Sequence, residues 1–335
     1  MLRFVTCLIA ACSLFGQSPA HTQTFALRDT NDLVAQHVKV EQAEYQGRQC
    51  VRLMSEPRAN GFALIKGTDF EDGTIEADFA VRVTTPPGVR MPGFIGIAFR
   101  ARPDASHYEL FYVRPGNSLS NDQAMRNHSA QYCEAPDYDW YRLRREWPWT
   151  YEAYADIQPE TWTKLRIEVA GRSAKLYLNG SAKPTLIVEG LKGEDLHGAV
   201  ALWGNPGEES YFSNLRITPA TPVPLQNDGE PTGAWDVTYA SDAGKVAGSM
   251  KLTRNGTQIT GSWSGAFGDD LPVTGVWRNG YVELTFKGNW PKEMFIGKPG
   301  NAEVALAGWI DGDKGSGRMN VEGRADGSWL AMRKK

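Results

Sequence analysis

Gly73-Thr74-Ile75-Glu76-Ala77-Asp78-Phe79-Ala80-Val81-Arg82 is apolar at every second position. A period of two puts Ile75, Ala77, Phe79 and Val81 on one face and Glu76, Asp78 and Arg82 on the other, which is the signature of a half-buried strand. Trp162–Val169 repeats it with Leu165, Ile167 and Val169, and Asn179-Gly180 turns the chain after Lys175–Leu178. Strands follow one another here without a helical period, so an antiparallel sandwich is expected. Phe94–Phe99 and Tyr108–Val113 break the rule by being apolar on both faces, so something must cover their second face. The cover expected is the segment Pro115–Thr161, read as irregular and rich in rings: Tyr132, Tyr138, Trp140, Tyr141, Trp147, Trp149, Tyr151 and Tyr154, with Arg142, Arg144 and Arg145 among them. Long connections in compact domains are usually functional or disordered, and disorder is poor in aromatics, so an ordered functional segment is expected.

Beyond residue 218 the pattern changes. Pro219, Pro222, Pro224 and Pro231 mark residues 219–232 as a linker, because proline removes ladder donors and stiffens the chain. Eight short runs follow, from Ala234–Tyr239 to Ser328–Arg333. Asn255-Gly256 and Asn279-Gly280 read as type I′ hairpin turns, and Asp311-Gly312 and Asp326-Gly327 as the same device. One-sided alternation in Val282, Leu284 and Phe286 suits an up-and-down barrel over residues 233–335. Trp235, Trp263, Trp277, Trp309 and Trp329 either line a ligand cavity or fill the barrel, and the filled barrel is favoured, serving as an accessory or interaction module.

The remaining features bound the function. Arg3 followed by apolar Phe4–Phe15 reads as a signal peptide over residues 1–20, with Ser18-Pro19-Ala20 before a mature start at His21. The less favoured alternative is a lipoprotein anchor at Cys12 in Ile9-Ala10-Ala11-Cys12. An exported protein, periplasmic or extracellular, is therefore expected. The formal net charge of −3, without a basic run, argues against nucleic acid and anionic membrane as partners. No stretch after residue 20 is long and apolar enough for a transmembrane segment, and oligomeric state leaves no mark. Cys50 and Cys133 either pair or stay as separate thiols, since sequence does not give their separation. Five scattered His and no CxxC or HExxH indicate no metal site and no cofactor.

Six short stretches carry a family resemblance: Gly73–Asp78, Gly96–Arg100, Tyr108–Tyr112, Trp162–Leu165, Leu176–Gly180 and Tyr211–Leu215. Their order resembles the concanavalin A-like, laminin-G-type jelly rolls, and most nearly the bacterial exported domains grouped with 3-keto-disaccharide hydrolases, over about Phe25 to Thr218. Gly233-Ala234-Trp235 is similar to the Gly-x-Trp opening of lipocalin and avidin barrels. The resemblance implies an all-β protein: a concanavalin A-like jelly-roll sandwich over residues 21–218, followed by a small antiparallel eight-stranded barrel. It also implies a carbohydrate context and leaves a structural calcium ion open, but this fold hosts lectins, adhesins and hydrolases alike. Glucanases with this fold carry Glu-x-Asp-x-x-Glu on one strand. Glu76-Ala77-Asp78 begins that way and then lacks the third carboxylate, so both are assigned to a solvated outer face.

A pyranose needs a flat ring against its C–H face and polar groups at its hydroxyl rim. The expected groove floor is Arg100, Tyr108, Glu109, Tyr112 and Arg114, joined by Gln131 and Tyr132, with Trp140, Trp147 and Trp149 as stacking rings. Any one of these tryptophans could equally be packing. Glu109 and Glu152 are the carboxylates named for catalysis, with Asp137 nearby, and His107 and His128 are read as exposed rather than as proton carriers. The expectation is a lectin-like protein that binds a glycan or glycoside in this groove. A glycoside hydrolase using Glu109 or Glu152, or a non-catalytic structural or protein-interaction module, are the alternatives.

Overall fold

The computed structural model describes residues 21–83, 92–223, 229–294, 300–322 and 325–335. The expected signal peptide and part of the linker (224–228) lie outside them. The first half of the chain forms strands β1 (Gln23–Phe25), β2 (Leu33–Gln36), β3 (Val38–Tyr45), β4 (Arg48–Ser55), β5 (Gly61–Ile65), β6 (Gly73–Val83), β7 (Ile95–Ala101) and β8 (Tyr108–Val113). After these come helices α1 (Pro115–Ser118) and α2 (Gln123–Asn127), strand β9 (Ala130–Ala135), helix α3 (Trp140–Glu146), and strands β10 (Glu152–Ala153), β11 (Thr163–Ala170), β12 (Ser173–Leu178), β13 (Leu186–Glu189), β14 (Ala199–Gly204) and β15 (Glu208–Pro219).

Two antiparallel sheets result. One runs β13-β12-β11-β6-β15-β4-β3, with β1 on β15; the other runs β10-β9-β8-β7-β14-β5-β2. Neighbours far apart in sequence, such as β6 with β15, give the crossed connectivity of a jelly roll. The core between the sheets holds Ile75, Ala77, Phe79, Leu165, Ile167 and Val169, as the alternation requires. Asp78 sits on the opposite face of β6, bonded by Arg48 and Asn214, each at 2.9 Å. Cys50 and Cys133 are separate buried thiols.

Pro115–Thr161 is not irregular. Six of its residues form β9, which pairs with β8 along its whole length, and Glu152 and Ala153 extend the sheet as β10. The segment therefore builds the sheet edge as well as covering it. Ala130–Ala135 has polar residues on both sides of its alternation, which hid the strand from a hydrophobicity pattern.

Strands β16 (Gly233–Ser241), β17 (Gly244–Asn255), β18 (Gln258–Gly265), β19 (Gly268–Arg278), β20 (Tyr281–Asn289), β21 (Asn301–Asp311), β22 (Lys314–Val321) and β23 (Ala325–Arg333) close into a barrel in sequential order. Trp235, Trp263 and Trp329 are wholly buried in it, whereas Trp277 and Trp309 are half-buried. Asn279 and Gly280 both have positive φ, as a type I′ turn demands. At Asn255-Gly256 and Asp311-Gly312 the register moves the turn one residue on, so only the glycine is left-handed. Asp326-Gly327 lies within β23, paired to Asn320 and Met319, and is no turn.

Candidate functional site

The turn Trp147-Pro148-Trp149-Thr150 closes with Thr150 N–H donating to Trp147 O at 3.3 Å. Proline suits its second position, while the third, with φ of 64°, is one normally given to glycine or asparagine. A bulky residue there costs on the order of 1–2 kcal/mol. Trp149 nevertheless holds it and is 61% exposed, so neither backbone preference nor burial explains the ring.

Trp149 stacks on the His128 imidazole, with centroids 5.9 Å apart and an 8° interplanar angle. His128 Nδ1 lies 2.8 Å from Glu152 Oε2, off the direction of a hydrogen bond. Burial pushes the imidazole below its usual range, against the opposing pull of the Glu152 charge. Arg144 donates Nε–H and Nη2–H to the Glu152 carboxylate at 3.1 and 2.7 Å, and its guanidinium sits 4.9 Å from the Trp140 ring centroid. Trp140 is 43% exposed. Two solvent-facing indoles are thus joined by an unbroken chain: Trp140, Arg144, Glu152, His128, Trp149. Asp139 makes this possible by capping α3, its carboxylate accepting from Arg142 N–H, which fixes where Trp140 and Arg144 emerge.

Below this chain lies the face of the seven-stranded sheet that carries Tyr108, Tyr112 and Gln131. Gln131 is paired in register with Tyr112 on one side and Glu152 on the other. Arg114 donates to Tyr112 Oη at 2.6 Å and to His128 O at 2.7 Å. Tyr112, Arg114 and Gln131 are almost fully buried. The structure therefore brings together Tyr108, Tyr112, Arg114, Gln131, Glu152, Trp140 and Trp149, with the first five as a foundation rather than an open floor.

Other expected residues fall elsewhere, for identifiable reasons. Alternation places Glu109 and Tyr132 on the opposite face of the same sheet, where Tyr132 Oη–H donates to Glu109 and Gly193 N–H donates to it at 2.9 Å. Burial raises the Glu109 carboxyl above its usual range. Glu109 and Glu152 thus lie on opposite faces and cannot flank one glycosidic bond. Arg100 has a φ of 49° beside a register shift between β14 and β7, a bulge that re-aims its side chain. Its guanidinium is buried against Asp72 at 2.9 Å and Gly171 O at 2.7 Å.

Trp147 faces away from the platform. With Tyr138 and Tyr151 it surrounds the Lys192 ammonium at 4.9, 5.4 and 5.2 Å, and that ammonium is paired with Glu283 of the barrel. These rings fasten the two halves of the molecule together. His107 and Asp137 border a cleft at the same junction. His128, read as exposed, is a half-buried member of the platform. No spacing in the sequence marks it, because His128 stands well before Arg144, Trp149 and Glu152 and only the pairing of β10 with β9 brings Glu152 back beside it.

Among the described residues, no group of three or more His, Cys, Asp or Glu is placed to hold a metal ion, and no helix is long and apolar enough to cross a membrane.

The model of the 3-keto-alpha-glucoside-1,2-lyase-like domain matches residues 28–218. Among solved structures, a carbohydrate-binding module (CBM66) from Bacillus subtilis is 16% identical, covering 56% of this chain and 97% of its own, with a TM-score of 0.39. The exoplasmic/lumenal domain of VIP36 is 13% identical, with 60% and 94% covered and a TM-score of 0.43. Lectin II from Ulex europaeus is 11% identical, with 60% and 99% covered and a TM-score of 0.39. Similarity at this level identifies no ligand. No curated protein matches the sequence.

Proposed function

Because the chain belongs to the 3-keto-alpha-glucoside-1,2-lyase-like domain family, we propose that it binds a glucoside-type saccharide on the platform between Trp140 and Trp149. The observation that carries this reading is the exposed, backbone-strained Trp149 at one end of the Trp140–Arg144–Glu152–His128–Trp149 chain. Indole faces match the C–H faces of a pyranose, and the Arg144 guanidinium between them matches its hydroxyls, with the edge of His128 beside it and the buried Glu152 carboxylate holding it in place. The ion pair fixes these groups in place, so little side-chain entropy is lost on binding. The family name supplies the saccharide class to try first, glucosides and their 3-keto forms. The apolar Phe4–Phe15 stretch supports a periplasmic or extracellular setting as part of the same proposal.

Glycoside hydrolysis of the usual kind needs two carboxyl groups on either side of one bond. Placement of Glu109 and Glu152 on opposite faces favours recognition over hydrolysis by that pair. Calorimetric titration of the folded protein with α- and β-glucosides and their oligomers tests the proposal. Saturable binding that weakens about tenfold in Trp149→Ala, a loss of the size expected for one aromatic contact, is the expected result. A folded protein that binds none of these saccharides defeats it.

A further inference from the structure

The junction between sandwich and barrel holds a cleft of about 400 Å³, separate from the platform. Its size falls at the lower end of the range for small-molecule sites. Both halves of the molecule build it: Glu134 and Asp137 from the end of β9, Glu194 from the loop before β14, and Thr257 and Gln258 from the β17–β18 hairpin.

Its charges balance: Glu134, Asp137 and Glu194 stand against Arg142, Lys192 and Arg278. The three cations are already engaged. Lys192 pairs with Glu283; Arg278 donates to Tyr138 Oη at 2.7 Å and lies 3.5 Å from Glu283; Arg142 bonds Glu146 at 3.1 Å and Asp137 O at 2.8 Å. Glu134 is different. It is 4% exposed and has no ion-pair partner among the described residues. What this cleft offers a ligand is therefore a set of hydrogen-bond acceptors, the Thr257 hydroxyl and the Gln258 amide, in a site of no net charge. A cation would meet the three fixed cations, and an anion would meet Asp137, Glu194 and Glu134, whose carboxyl takes the Asp137 and Tyr138 backbone N–H groups and no cation.

We propose that the interdomain cleft is a second ligand site, which takes one neutral, hydroxyl-rich molecule of monosaccharide size and holds it between Glu134 of the sandwich and Gln258 of the barrel. Burial, then the charges of Glu109 and Asp137, pushes the Glu134 carboxyl up to about 7. Near neutral pH it can therefore both donate and accept toward a hydroxyl. Tyr138, Arg142, Lys192, Glu194, Arg278 and His107 are the other charged or titratable groups around it.

The test uses the full chain carrying Trp140→Ala and Trp149→Ala, which removes the platform and leaves the cleft intact. Glucose, galactose, methyl α-glucoside and myo-inositol are titrated into it calorimetrically at up to 100 mM. Binding of at least one, at one site per chain and weakened tenfold or more by Glu134→Ala, which removes both the donor and the acceptor, is the expected result. Gln258→Ala, on an exposed hairpin, serves as the variant least able to disturb folding and weakens binding in the same direction. The proposal is overturned if none of the four binds, or if binding is indifferent to both substitutions. Because the platform is absent throughout, failure here leaves the platform reading standing, and failure of the platform leaves this one.

Discussion

Replacing Glu208 by Gln changes how the fold responds to alkali. Glu208 begins β15, is 3% exposed, and accepts N–H bonds from Gly93 at 3.1 Å and Phe94 at 2.7 Å, with no cation beside it among the described residues. Burial pushes its carboxyl up to about 8 from an ordinary 4.5. The native state therefore keeps a proton that the unfolded chain gives up between these values, so stability falls as pH rises through that window. At about 1.4 kcal/mol per pH unit, the loss from pH 5 to pH 9 is bounded at roughly 4–5 kcal/mol, and relaxation of the site reduces it to about 2–4. The amide of Glu208→Gln does not titrate, so the difference between variant and wild type isolates this carboxyl from every other group. Melting temperatures measured at half-unit steps should agree closely near pH 5. They should diverge until the variant melts about 5–15 °C higher at pH 9, given about 2–4 °C per kcal/mol for a domain of this size. The site should respond as well, because Phe94 packs 5.9 Å from the Tyr112 ring and 5.4 Å from the Arg114 guanidinium. A difference that stays constant across this range, or a wild type that gains on the variant as pH rises, refutes the reasoning.

Three further outcomes follow from the same contacts. Glu152→Gln removes the carboxylate that accepts from Arg144 and should cost about 1–3 kcal/mol, together with saccharide affinity, in paired denaturation and calorimetric measurements. Lys192→Met leaves Glu283 with Arg278 alone, at 3.5 Å, and should destabilise by about 1–3 kcal/mol, whereas Lys192→Met with Glu283→Leu should recover part of that in a double-mutant cycle, Arg278 keeping its bond to Tyr138. In protein starting at His21, Cys50 and Cys133 should react with a thiol reagent only after denaturation, since both are buried and burial pushes the Cys133 thiol up to about 12.

The alternating strands were legible because one buried face imposes a period of two, and the doubly apolar β7 and β8 correctly announced a covered sheet. Strand β9 escaped because Gln131 and Glu134 are buried polar residues, the first donating to Tyr132 O and Tyr151 O and the second accepting from the Asp137 and Tyr138 backbone, which no hydrophobicity pattern records. Within the site, parity decided the outcome. Tyr108 and Tyr112 share a face, while Glu109, one residue from Tyr108, belongs to the other. A bulge, invisible in sequence, turned Arg100 away. Trp147 and Trp149 look alike in the chain, two residues apart, yet one clasps Lys192 and the other stands in solvent because the backbone reverses at Pro148.

The central claim is that the exposed indoles receive a saccharide. Nitrogen-15 labelling resolves the indole N–H groups of the 11 tryptophans, and titration with a bound glucoside reports each one separately. Trp140 and Trp149 should shift together and saturate, with Trp235, Trp263 and Trp329 in the filled barrel unmoved. Shifts confined to the barrel indoles, with Trp140 and Trp149 unchanged, would contradict the account.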